Sequence, residues 1–289
     1  MVKKLLKYEF KARGPILLLM WGIILLIACM VKILSLVVYN APVTDETETS
    51  AVMTIATIFY SSSAALLRVG CAALMVVTAV LNIVRFYKNL YSPEGYLSFT
   101  LPVSENQHIF VKTFVSFVMT LGSFLVIILG ELISLDVESL RLLRLIFEDS
   151  GLDKVFSEFV ATCGTANCVF YVIEAILAVI ASVLCGIMKY NACLSIGQLA
   201  RRRKVLLSFG VFAGLFVLRQ LIATIILAII MPLMLFNDNI FEQIFAWFAG
   251  HLAVGMHMLI CSYIAIFVIG FVLFYLATYL PMKKKLNLE

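Results

Sequence analysis

The chain has 289 residues, of which 63% are apolar and only 13% charged, against about a quarter charged in an ordinary soluble domain. Mean hydropathy is +1.07. These values exclude a water-soluble globule, a disordered chain and a disulfide-rich secreted module. The net charge of +5 is distributed in a way that points to a membrane surface and away from nucleic acid.

Residues 1–14 read as an amphipathic interfacial helix. Val2, Leu5, Leu6, Tyr8, Phe10 and Ala12 gather on one side, and Lys3, Lys4, Lys7 and Lys11 on the other. Such a helix lies among headgroups with its lysines toward anionic lipid. Glu9 and Arg13 intrude on the apolar side, either as an i, i+4 pair or to dock against a partner helix. Gly14-Pro15 is expected to turn the chain into the first span.

A helix rises about 1.5 Å per residue, so about 20 apolar residues cross the hydrocarbon layer. Six segments qualify, at about 16–36, 64–84, 108–131, 165–188, 205–235 and 251–280. The first is too long for a signal-peptide core and reads as a retained anchor. Pro232 marks where the fifth bends or stops. The expected fold is an all-α integral membrane bundle forming one domain over residues 1–289.

Orientation follows from Lys and Arg between the spans. Lys3, Lys4, Lys7, Lys11 and Arg13 precede span one, and Arg85 and Lys88 follow span two. Lys189, Arg201, Arg202, Arg203 and Lys204 follow span four, and Lys283, Lys284 and Lys285 follow span six. Together these are fifteen of the 22 basic residues. The opposite loops are acidic, with Arg141, Arg144 and Lys154 as their bases. Both termini are therefore expected in the cytoplasm, which an even number of spans requires.

The connection 85–104 reads RFYKNLYSPEGYLSFTLPVS. Ser92-Pro93-Glu94 is a helix start: a capping side chain, a proline at the first position and an acid in the first turn. Pro102 ends that short cytoplasmic helix, and Ser104 with Gln107 opens span three as a capping box. Exposed Tyr96, Leu97 and Phe99 call for a cover, either the bilayer surface or a protein partner. The outer loop 136–160 suggests two short surface helices split at Gly151. The aromatic stretch 236–250 is expected at the interface or dipping back into the membrane.

An ionisable side chain at mid-membrane costs about 2.5–3.5 kcal/mol on insertion scales, so it faces the interior and usually pairs. Glu174 and Arg219 fall near mid-depth of spans four and five. They read as a salt bridge, or as contacts for substrate or proton. Glu174, Ala178, Ser182 and Gly186 share one face whose small residues admit a close neighbour, and Gly210 and Gly214 offer a matching surface. Lys32, Arg68 and Glu131 form a candidate outer cluster, with snorkelling to the headgroups as the other reading of the two cations. His108, His251 and His257 read as interfacial or packed histidines.

No Walker A, HExxH or GxSxG motif occurs, so no catalytic residues and no metal are expected. The seven cysteines show no CxxC pair, and most sit in apolar runs as small hydrophobes. Leu194-Ser195-Ile196-Gly197-Gln198 differs at one place from an ATPase signature, but it lies between two spans and is a coincidence.

The start KYEFKARGP, the connection RFYKNLYSPEGYLSFTLPVS, the segment YNACLSIGQLARRRK and the order of spans resemble one family. It is the six-span permeases of bacterial ATP-binding-cassette (ABC) exporters of type V, in the short Gram-positive form. The resemblance implies a coupling helix at Ser92–Pro102 that meets a separate ATPase through Ser92, Glu94, Gly95, Tyr96, Leu97 and Phe99. It also implies a second permease chain, an amphipathic or peptide-like cargo, and a bacterial cell membrane. No cofactor is expected in this chain, with ATP and Mg²⁺ held by the ATPase. The competing expectation is a stand-alone carrier or channel that uses Glu174 as its coupling group.

Overall fold

The computed structural model describes residues 2–40, 48–92, 104–136, 140–141, 144–145, 151–200, 202–236 and 238–285. Among these residues the chain forms eight helices: α1 (Val2–Asn40), α2 (Glu48–Tyr91), α3 (Glu105–Ser134), α4 (Leu152–Cys163), α5 (Thr165–Gly197), α6 (Lys204–Phe236), α7 (Asp238–Gly250) and α8 (Leu252–Lys285). Six of them, α1, α2, α3, α5, α6 and α8, are long and apolar enough to cross a membrane. The protein is thus an all-helical, multi-pass membrane chain.

Five of the six expected apolar cores fall wholly inside these helices and the sixth begins one residue before α8, but the helices outrun them. α1 is 39 residues long and α2 44, because a helix does not stop where its hydrophobic stretch does. The expected turn at Gly14-Pro15 is absent. The N-terminal amphipathic segment and the first span form one unbroken helix, with Pro15 inside it. A mid-helix proline forfeits one backbone hydrogen bond. Here the preceding turn is held by the buried side chains of Glu9 and Arg13, so the helix survives the loss. Pro232 likewise lies within α6, which continues to Phe236.

The chain divides into two compact units, Met1–Phe86 with Phe110–Asp153, and Tyr87–Ile109 with Lys154–Glu289. In the first unit α1, α2 and α3 form a three-helix bundle. Hydrogen bonds from α1 to α3 join Lys112 to Glu9, Arg13 to Ser116 and Lys32 to Leu135, each at a sequence separation of 103, and Trp21 to Ser123 at 102. A constant separation means the two helices run parallel without slipping. α2 is antiparallel to both: Arg85 reaches Ala12 at one end and Tyr60 reaches Asp136 at the other. Leu17, Ile24, Ala28 and Val31 of α1 meet Leu67, Cys71 and Leu74 of α2 and Val111, Val115, Met119 and Val126 of α3 in the core. Gly122 lies directly against the Trp21 ring, where any Cβ would collide. That closeness lets the indole Nε1 donate to Ser123 Oγ at 3.0 Å.

In the second unit α5 and α8 run parallel. Glu174 meets His257 and Ser195 meets Thr278 at the same separation of 83 residues. α6 returns antiparallel to α5: Gly197 packs on Ser208, and Tyr190 stacks on Phe212 at 5.6 Å between centroids. Beyond Phe212 most of α6 is exposed. The small-residue faces expected to meet do not. A Cβ at Gly186, Gly210 or Gly214 would touch nothing within 4 Å, and the close approach falls instead at Gly197. Gly164, at φ 84°, separates α4 from α5 in a conformation costly for other residues.

Candidate functional site

The connection 92–104 is described only at its flanks. Of the expected coupling residues Ser92 is placed; Glu94, Gly95, Tyr96, Leu97 and Phe99 lie outside the described residues. The Ser92 hydroxyl donates to the Lys88 carbonyl at the end of α2. The Ser104 carbonyl accepts from the amides of Gln107 and His108 and so opens α3. One residue before Ser92, the Tyr91 hydroxyl donates to Ser195 Oγ at 2.9 Å, and the Ser195 hydroxyl in turn donates to the Thr278 carbonyl at 2.9 Å. Ser195 and Thr278 are fully buried. Just beyond the connection, Asn106 Oδ1 accepts from Tyr275 Oη at 2.9 Å. The Leu194–Gly197 run lies inside α5, not between two spans, and is a packing joint between α5, α6 and α8.

Glu174 has the interior placement expected of it but a different partner. Its Oε1 lies 2.8 Å from His257 Nδ1 on α8 and 4.0 Å from Cys261 Sγ. The His257 ring packs against Tyr171 at 4.5 Å between centroids, and Tyr171 donates to the Ala253 carbonyl at 3.0 Å. Glu174 Oε2 is buried without a hydrogen-bond partner. Arg219 is exposed on α6 and forms no ion pair with it. The reason is register. α5 continues to Gly197, past the expected end at 188. The Tyr190–Phe212 and Gly197–Ser208 contacts then set Arg219 level with a point about ten residues, or about 15 Å, from Glu174. His257 is therefore no mere packing residue. Its signal was available: counted from the starts of the expected spans four and six, Glu174 and His257 lie nine and six residues in, at similar depth.

The outer cluster does not close. Lys32 Nζ donates to the Leu135 carbonyl at 2.5 Å, just past the last turn of α3, where unmatched backbone oxygens attract cations. Arg68 is exposed and Glu131 half-buried, and no ion pair joins the three among the described residues. Asp136 instead accepts from Tyr60 Oη at 2.6 Å.

The densest charge cluster joins three helices at the other end of the first unit. Glu9 pairs with Arg13, as its i, i+4 spacing allows, at 3.1 Å. The same carboxylate binds Lys112 Nζ of α3 at 2.7 Å. Arg13 also donates to Asn82 Oδ1 of α2 at 2.9 Å and Ser116 Oγ of α3 at 2.8 Å. All three charged side chains are at most 6% exposed. Pairing and docking, the two readings of Glu9 and Arg13, thus occur together. Lys112 was missed because only the α1–α3 register reveals it.

Among the described residues no group of three or more His, Cys, Asp or Glu is arranged to hold a metal, and the cysteines are free thiols. Set against protein-family models, curated proteins and solved structures, the chain matches none of them.

Proposed function

We propose that this chain is the permease subunit of an ABC exporter in a bacterial cytoplasmic membrane. It pairs with a second permease and borrows its energy from a separate ATPase subunit, which binds ATP and Mg²⁺. The cargo is amphipathic or peptide-like, and both chain termini face the cytoplasm. The observation that supports this reading most is the gathering of basic residues at one end of the first unit. Within that unit, Arg85 on Ala12 and Lys112 on Glu9 bring the early turns of α1 level with position 85 of α2 and position 112 of α3. That end carries Lys3, Lys4, Lys7, Lys11 and Arg85, the mark of a cytoplasmic face. The connection that follows α2 in the sequence, with Tyr96, Leu97 and Phe99, is by resemblance the handle for a separate motor.

The test is co-purification with the ATPase encoded beside this gene. The unsubstituted chain is expected to retain the ATPase in mild detergent, and Glu94→Lys with Tyr96→Ala to release it and stop coupled transport. Retained binding and transport in that double variant refute the reading. A gradient-driven carrier is the second reading, favoured by the Glu174–His257 pair inside the spanning helices. It requires transport by this chain alone in liposomes, abolished by Glu174→Gln.

A further inference from the structure

We propose that Glu174, walled by Tyr171 and His257, binds a primary ammonium group, and that this group belongs to the cargo. The assignment to cargo rests on the exporter reading; the site itself does not. Tyr171 and Glu174 are three residues apart on α5, and His257 and Cys261 four apart on α8, so each pair shares a helical face. The parallel run of α5 and α8 brings the two faces together. Glu174 Oε1 then lies 2.8 Å from His257 Nδ1 and 4.0 Å from Cys261 Sγ.

A carboxylate offers about four lone-pair positions. The imidazole takes one, and a thiol at 4.0 Å is a weak second. Oε2 has no hydrogen-bond partner, so the fold leaves acceptor capacity unused. It also leaves the carboxylate without a strong cation. No Lys or Arg occurs at 165–188 or 252–282, and Arg219 is the one basic residue at 205–236, held about 15 Å away by the α5–α6 register. A carboxylate among spanning helices is costly unless paired. A ligand with positive charge and N–H donors supplies both missing elements.

The walls select what carries that charge. The Tyr171 ring lies 4.5 Å from the His257 ring and 6.0 Å from Phe159. Its hydroxyl is committed to the Ala253 carbonyl, which fixes the ring in place. Aromatic faces attract an ammonium within about 6 Å and pack against an apolar tail. The side chains of Glu174 and His257 are 19% and 28% exposed, so a ligand reaches the pair without opening a core. A metal ion fits less well, since among the described residues no group of three suitable ligands is arranged to hold one.

The experiment uses the full chain in phosphatidylcholine nanodiscs, with empty nanodiscs as the blank. Phenethylammonium is expected to bind saturably by calorimetry. Phenethyl alcohol, the same ring without the charge, binds at least about tenfold more weakly, the usual worth of one charged hydrogen bond. Phenethylammonium binds Glu174→Gln more weakly by the same factor, although the amide keeps the shape and still accepts from His257. Tyr171→Ala weakens binding severalfold through the lost ring, and Arg219→Ala leaves it alone. Equal affinity for the alcohol, or for Glu174→Gln, overturns the site. A second measurement needs no variant. N-ethylmaleimide modifies the exposed Cys261 and Cys29; phenethylammonium slows modification of Cys261 severalfold and of Cys29 not at all. An unprotected Cys261 also overturns the site. In the complex with the ATPase, phenethylammonium is expected to stimulate ATP hydrolysis severalfold. Binding that leaves hydrolysis unchanged overturns the assignment to cargo. A chain that binds phenethylammonium but retains no ATPase overturns the exporter reading and leaves the site standing.

Discussion

Glu9→Gln removes one negative charge from a cluster that holds two buried cations. Glu9 lies 2.7 Å from Lys112 Nζ and 3.1 Å from Arg13 Nη2, and neither cation is more than 3% exposed. Taking one partner from a buried ion pair costs about 3–5 kcal/mol, chiefly because the charge left behind stays desolvated. Here two are left, so the loss belongs at the upper end of that range. Lys112→Met acts oppositely. Glu9 keeps Arg13, the two remaining charges balance, and the methionine replaces the lysine stem with apolar volume. Exchanging a buried ion for a well-packed hydrophobe is often neutral or better, so the change stays within about 1 kcal/mol of zero. The double variant leaves Arg13 alone beside glutamine and falls between the two singles. Reversible unfolding in mixed micelles gives the free energies, and the Glu9→Gln melting point drops by roughly 10 °C. The reasoning is refuted if Lys112→Met proves the costlier substitution, or if Glu9→Gln costs less than about 1 kcal/mol.

In unit two, a double-mutant cycle on Glu174→Gln and His257→Ala is expected to give about 0.5–1.5 kcal/mol of coupling, the usual size for polar contacts between membrane helices. The same cycle with Arg219→Ala gives none beyond error, and a reversal restores the Glu174–Arg219 pairing. Gly197→Ala drives a Cβ into Ser208, 2.8 Å from its Cα, and costs about 1–3 kcal/mol by overpacking. Gly214→Ala, facing open space, stays within about 0.5 kcal/mol, and unfolding curves of the two variants settle the contrast. A cysteine introduced by Tyr96→Cys reacts with a membrane-impermeant maleimide only after cells are opened. Labelling of intact cells from outside reverses the proposed orientation.

The six spans were legible because an apolar run of about 20 residues has few other uses. Their ends were not, because α5 carries Lys189 and Asn191 as ordinary helix residues near its end. That misjudged end displaced the α5–α6 register and with it the partner of Glu174. Proline was read as a break at position 15, where tertiary packing of Glu9 and Arg13 overrides it. The Glu9–Arg13 pair could be read from local spacing. Lys112, Asn82 and Ser116 could not, since they join it only through the alignment of three helices. The Tyr91–Ser195–Thr278 chain gave no sequence signal: three hydroxyl-bearing residues far apart in the chain carry no periodicity.

α2 has 44 residues and measures about 66 Å at the standard rise. Even leaning by about 40°, the steepest inclination usual for such helices, it projects to about 50 Å against roughly 30 Å of hydrocarbon. The helix is therefore longer than the hydrocarbon layer needs, whichever way it leans. Toward its start, Thr57 and the Ser61–Ser63 triplet turn their hydroxyls back onto their own backbone, so that stretch can sit in lipid or in water without leaving a donor unmatched.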